Sequence, residues 1–123
     1  ILRVLEPIEH VRYVRFGTRS IVVNPHRIYK DKKLLKILEE FSKKGKKIRF
    51  VTHFNHPKEL TLQAKECIKA LLKSVVSVYN QSVLMKGIND NPKVLASLFN
   101  NLISAVAIQL KLSIRVFLCE FGK

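Results

Sequence analysis

Two polar clusters carry most of the chemistry available to this chain. They are Val51-Thr52-His53-Phe54-Asn55-His56-Pro57 and Asn80-Gln81-Ser82-Val83-Leu84, the second running on into Gly87-Ile88-Asn89-Asp90. Each puts imidazole, carboxamide, hydroxyl or carboxylate groups where an apolar β-strand gives way to a loop. Such groups can donate to or accept from a ribose, a carboxylate or a phosphate. Parallel α/β folds build their sites at that end of their strands.

Asn80, Gln81 and Ser82 are three consecutive polar side chains in a run rich in Val and Leu. Inside a buried strand they would cost stability unless a ligand, a neighbouring strand or water bonds them. His53 and His56 bracket Phe54-Asn55, but Pro57 disfavours a helical conformation at His56. With no third ligand of definite geometry, the pair does not make a metal site. An extended strand end instead presents His53 and Asn55 to one side and His56 to the other. The competing reading is that these groups bond backbone at the strand-to-helix turn. Gly17-Thr18-Arg19 suits an anion, because arginine can form a bidentate pair; a surface turn explains the same residues. Asn89 or Asp90 suits a helix N-cap ahead of Pro92, leaving the other free to face a site.

The elements that must position these groups follow from period and punctuation. Leu2, Val4, Leu5 and Ile8 read as the end of a helix limited by Pro7. Val11 to Phe16 reads as a strand with Val11, Tyr13, Val14 and Phe16 inward, followed by a Gly17–Ser20 loop, apolar Ile21–Val23 and a turn at Asn24-Pro25. Asp31 can cap a helix to about Lys44, with Leu34, Leu35, Ile37, Leu38 and Phe41 on its buried face and Gly45 at its C-terminal exit. Ile48, Phe50 and Val51 form a strand into His53. A helix from about Lys58 to Ser74 buries Leu60, Ala64, Ile68, Leu71 and Leu72, and Val75 to Leu84 reads as the next strand. Pro92 opens another helix, with Val94, Leu95, Leu98, Leu102 and Ile103 inward, and Ile114 to Cys119 reads as a last strand. Strands alternating with helices imply parallel pairing through right-handed crossovers, as in half of a barrel or a small doubly wound sheet.

Composition narrows the classes. The 123 residues make one domain, and an apolar fraction of 47% suits a folded core. The start at Ile1, already inside the end of a helix, points to an incomplete protein. A formal charge of +14 raises the expectation of nucleic acid or an anionic surface. The lysines, however, fall on expected helix faces or in Lys43-Lys44-Gly45-Lys46-Lys47, with no interleaved aromatic run, so nucleic acid is not the expected partner. Two distant cysteines, Cys67 and Cys119, and no signal peptide suit a reduced, cytoplasmic setting. Val94 to Leu118 is interrupted by Asn100, Asn101, Gln109, Lys111 and Arg115, short of the ~18 apolar residues of a membrane span.

The blocks Arg15-Phe16-Gly17-Thr18-Arg19, Thr52-His53-Phe54-Asn55-His56-Pro57 and Asn80-Gln81-Ser82-Val83-Leu84 through Gly87-Ile88-Asn89-Asp90 resemble, in order and spacing, the lysine 2,3-aminomutase family. The resemblance runs from about Leu2 to Ala105, and residues 106–123 diverge. It implies part of a radical S-adenosylmethionine partial (β/α) barrel, with a [4Fe–4S] cluster, S-adenosylmethionine and pyridoxal phosphate. The family's reaction moves an amino group from carbon 2 to carbon 3 of L-lysine. By strand position, the resemblance implies that Arg19, His53, Asn55, Asn80, Gln81 and Ser82 line the cofactor side and that Asp90 pairs with the substrate's ammonium. The family's Cys-x-x-x-Cys-x-x-Cys motif and its pyridoxal-phosphate lysine are absent here, and Val75 stands where members commonly carry glycine. The expectation is a portion inactive by itself that holds no cofactor or metal alone, with an N-terminal half or a second copy as partner. A non-catalytic interaction domain derived from the same fold is the alternative.

Overall fold

Alternation along the strands decides which side of the sheet the helices cover. In a computed structural model, which describes residues 1–106, β1 (Tyr13–Gly17), β2 (Lys47–Thr52) and β3 (Ser77–Asn80) form one parallel sheet in the order β1-β2-β3. The register sets Val14 beside Ile48, Phe16 beside Phe50 and Phe50 beside Val78. Even-numbered positions therefore share one face. Val14, Ile48, Phe50 and Val78 pack in a core with Leu38, Phe41, Ile68 and Leu71 from the helices.

Odd-numbered positions share the opposite face, which the described helices do not cover, although Val51 is buried there. Tyr13, expected inward, is 51% exposed there; period 2 allows Val14 and Phe16 to be inward only if Tyr13 and Arg15 are not. The spatial order of the strands repeats their chain order, with no reversal among the described residues. That is the winding of a barrel segment, and equally of one half of a doubly wound sheet on one side of its switch point. The expected strand at Ile114–Cys119 lies outside the described residues.

Short helices α1 (Leu2–Leu5), α2 (Ser20–Val23) and α3 (His26–Tyr29) flank β1 and precede α4 (Lys32–Lys43). Ile21–Val23 is thus a helical turn, with Ile21 fully buried. The Asp31 side chain accepts from Leu34 N at 2.9 Å to start α4, and Gly45 leaves it at φ +83°. Ile37 lies at the stripe's exposed margin, while Leu38 and Phe41 are buried.

The single helix expected from Lys58 to Ser74 is two pieces. A 3₁₀ turn at Pro57–Glu59 is followed by a break, and α5 (Leu62–Lys73) begins after Thr61. Thr61 is extended, and its hydroxyl accepts from Ala64 N at 3.1 Å. A side-chain oxygen that caps one helix in this way ends the preceding turn. The last described helix, α6 (Pro92–Val106), is capped by Asn91, not by Asn89 or Asp90, through Lys93 N to Asn91 Oδ1 at 2.8 Å. Leu98 and Leu102 are buried beneath it, but Ile103 is exposed.

The third strand is shorter than Val75–Leu84 because both of its ends do other work. At its start, Val75 N bonds Leu72 O and Val76 N bonds Leu71 O, each at 3.1 Å. These are the two bonds of a Schellman helix end, which puts its C′ residue in the left-handed region. Val75 sits there at φ +61°. A β-branched residue clashes in that region, while glycine does not. Val75→Gly is therefore expected to raise stability by about 1 kcal/mol, read as a higher midpoint in thermal or urea unfolding. An unchanged or lower midpoint would contradict the assignment of strain to this turn.

Candidate functional site

Beyond Thr52 and Asn80 the parallel ladder stops, and side chains take over the joining of the strands. Gln81 N still bonds Thr52 O at 2.9 Å. Then the Asn80 carboxamide grips the backbone of Phe54 twice: Oδ1 accepts from Phe54 N at 2.7 Å and Nδ2 donates to Phe54 O at 3.1 Å. The same Nδ2 donates to Ser82 Oγ at 2.9 Å, and Ser82 Oγ donates to Phe54 O at 2.7 Å. Only this amide orientation matches an N–H and a C=O together. Three polar residues in succession are thus tolerated because two of them replace ladder bonds.

Asn55 and Asn89 extend the lattice. Asn55 Oδ1 accepts from Val83 N at 2.9 Å. Asn89 Nδ2 donates to Asn55 O and to Val83 O, both at 2.8 Å, and its Oδ1 accepts from Met85 N at 2.7 Å. Asn55, Asn80, Ser82 and Asn89 are all buried. Buried amides with this many partners fix one backbone arrangement, because losing any partner leaves a desolvated group unpaired.

Glu59 ties in the first loop. Its Oε2 accepts from Asn55 N at 2.7 Å and from His56 N at 3.4 Å, while Oε1 accepts from Arg19 Nη2 at 2.8 Å. The Arg19 side chain is 48% exposed, so the pair orients the loop more than it stabilises the fold. His56 Nδ1 accepts from Lys58 N at 3.2 Å, completing a capping box with Glu59. The loops after β1, β2 and β3 form one ledge. Glu59 was not among the expected site residues, although the His56-Pro57-Lys58-Glu59 spacing carries the capping-box signal that would have found it; Asn89, expected either to cap α6 or to face a site, instead bonds backbone.

The ledge sorts the expected residues. Asn55, Asn80 and Ser82 bond backbone, and Arg19 pairs with Glu59. His53 and Gln81 continue the odd-numbered parity and are half-exposed. His53 Nδ1 lies 3.0 Å from Gln81 O. A carbonyl only accepts, so Nδ1 carries the proton and Nε2 of the neutral ring is left as an acceptor. Asp90 is exposed on the loop before α6 and makes no ion pair with a described residue. Cys67 is fully buried, and burial pushes its thiol up to about 12; it is a core group and not a ready thiolate. No group of three His, Cys, Asp or Glu side chains able to hold a metal ion occurs among the described residues. No described helix is long and apolar enough to cross a membrane.

The fold and ledge define an open parallel β/α unit wound in sequential order, with its polar groups at the C-terminal strand ends. Over most of its length the chain is homologous to the 2,3-aminomutases. It is 47% identical over 103 residues to a putative L-lysine 2,3-aminomutase of Aquifex aeolicus, covering 84% of this chain and 26% of the relative. A glutamate 2,3-aminomutase of Clostridioides difficile is 41% identical over 106 residues, covering 84% of this chain and 23% of that protein. An L-lysine 2,3-aminomutase of Fusobacterium nucleatum is 39% identical over 103 residues, with 84% and 23% covered. The chain spans about a quarter of the length of the curated relatives it matches. No protein-family model matches it.

The ledge generates a direct test. Asn80→Asp keeps the shape but replaces a donor with a carboxylate oxygen facing Phe54 O, in a site that is 2% exposed. It is expected to destabilise the protein by about 2–4 kcal/mol, measured by urea unfolding at neutral pH. A loss below ~0.5 kcal/mol would show that the clamp does not hold the ledge together.

Proposed function

We propose that this chain forms the ligand-facing rim of an aminomutase-type barrel, the kind that converts L-lysine to β-lysine, and that it is inactive alone. The observation that carries this reading is the homology to 2,3-aminomutases over 84% of the chain. It is supported by a parallel sheet wound in sequential order, whose loops are locked so that His53 and Gln81 stand on the uncovered side.

Each group of the family's chemistry meets a different fit. A [4Fe–4S] cluster needs several thiolates. The sequence has two cysteines, and Cys67 is buried with its thiol pushed up to about 12. The residues present do not fit a cluster, and no step is derived through one. A Schiff-base lysine for pyridoxal phosphate is desolvated, whereas every described lysine is exposed or half-exposed; that group does not fit either.

S-adenosylmethionine does fit the ledge. In the family it supplies the radical that removes hydrogen from substrate. Its ribose hydroxyls match the His53 Nε2 acceptor, and its carboxylate and amino groups match the Gln81 carboxamide. Asp90 offers an exposed carboxylate to the distal ammonium of an amino-acid substrate. Asn80, Ser82, Asn55 and Asn89 act as positioning residues that hold the backbone carrying those groups.

A second reading, a non-catalytic interaction domain, is favoured by one observation. Among the described residues β1 and β3 each have only one strand neighbour, and unpaired edges recruit strands from other chains.

Incubating this chain with iron, sulfide, dithionite and S-adenosylmethionine is expected to yield no 5′-deoxyadenosine, whereas S-adenosylmethionine alone shifts the His53 and Gln81 NMR signals. L-lysine is expected to shift those around Asp90, and Asp90→Asn to weaken that response by about fivefold or less, as for an exposed ion pair. Formation of 5′-deoxyadenosine would refute inactivity. Unmoved His53 and Gln81 signals would refute the rim assignment and favour the interaction domain.

A further inference from the structure

The odd-numbered face of the sheet carries a cationic cluster that the strand-end ledge does not use. Arg49 is half-buried at its centre, on the middle strand. Its guanidinium carbon lies 4.3 Å from the centroid of the Tyr13 ring and 5.6 Å from that of Tyr79. Tyrosines on both outer strands therefore hold this one side chain, each through the attraction of a cation to a ring face. Lys47 Nζ lies 5.9 Å from the same Tyr13 centroid, and the register sets Arg15 directly beside Arg49.

Among the described residues no ion pair balances these charges. The strand positions sharing that face include Tyr13, Arg15, Lys47, Arg49, Ser77 and Tyr79, without an Asp or Glu. Every ion pair among the described residues uses another cation: Arg19, Lys36, Lys43, Lys44 or Lys69. Like charges set side by side on neighbouring strands repel. A half-buried cation without a carboxylate leaves its desolvation uncompensated. A guanidinium steadied by two rings is, in addition, a planar donor fork already oriented for two parallel bonds to an oxyanion.

We propose that this face is an oxyanion site, in which a carboxylate or phosphate of a small ligand sits against Arg49 with Arg15 and Lys47 adding charge. The basic and aromatic residues of this face come from three strands, and the register brings them together. A single-stranded nucleic acid also uses cations and rings. Here, though, Arg49 already stacks on the tyrosines that bases would need, so a small oxyanion is the occupant the geometry favours. The site lies on the strand face and stands whether or not the rim reading holds.

The test titrates the intact chain with inorganic phosphate and, separately, with succinate, following the Arg49 Nε–Hε and Tyr79 ring signals by NMR. At least one probe is expected to give saturable shifts with a Kd of about 1 mM. A stronger response to phosphate marks a phosphoryl ligand, and a stronger response to succinate a carboxylate; either supports the site. Arg49→Gln is expected to weaken binding about tenfold or more, while Lys69→Gln, which removes an exposed cation on α5, leaves it unchanged. Arg49→Lys, which keeps the charge but loses the fork, guards against misfolding and is expected to weaken binding severalfold. Absence of saturation with both probes, or wild-type titration by a folded Arg49→Gln, would overturn the proposal. So would binding of an oligothymidine a thousandfold or so tighter with a steep salt dependence, which would make the face a nucleic-acid surface.

Discussion

The carboxamide of Asn80 holds Phe54 by both its N–H and its C=O, and the rest of the strand-end arrangement depends on that grip. Two parallel strands lose register when their ladder ends, since nothing else fixes the chains that leave them. Here a side-chain amide takes the place of the next peptide, at 2.7 and 3.1 Å. With Phe54 held, Asn55 is delivered to Val83, Asn89 can reach the backbone of both loops, and Glu59 can collect Asn55 N, His56 N and Arg19. Each later bond presupposes the earlier one.

That order of dependence separates residues that bond a ligand from residues that hold the backbone. For the residues that directly continue β2 and β3 parity makes the division, while Asn55 and Asn89, in the loops beyond, hold backbone although odd-numbered. Even-numbered Asn80 and Ser82 turn into the protein, where an unpaired amide or hydroxyl would be costly, so they are spent on backbone. Odd-numbered His53 and Gln81 continue the face that no described helix covers and keep hydrogen-bonding capacity toward it. The same parity puts Arg49 between two tyrosines on that face. Both ligand-capable regions thus lie on one side of the sheet, and the hydrophobic core lies on the other.

Much of the framework was legible from pattern. Asp31 before an amphipathic run and Gly45 after it set the ends of α4, because capping and left-handed exit are local chemistry. Parallel pairing followed from alternation of strands and helices. Features fixed by distant partners were not legible. Asn80 and Phe54 are 26 residues apart, so their pairing has no local signal, and the polar run looked like an odd stretch of strand. Tyr13 looked inward because both parities of Tyr13-Val14-Arg15-Phe16 contain an aromatic, and only the packing of helices on one face decides between them. The break at Thr61 did have a local signal, a hydroxyl three residues before Ala64, but the apolar spacing across it masked the cap. The resemblance in the motif blocks points to the same family as the homology, and its glycine position at Val75 coincides with the left-handed turn.

If the ledge is preassembled by its own amides, it must be ordered in the protein without any ligand. Amide hydrogen exchange of Phe54, Val83 and Met85 reads this directly, because each of these N–H groups lies outside any regular element and bonds a side-chain oxygen. The account predicts that in the ligand-free chain all three exchange as slowly as the core amides of β2. Exchange near the unfolded rate, slowed only when S-adenosylmethionine or lysine is added, would mean that ligand builds the ledge and would contradict the account.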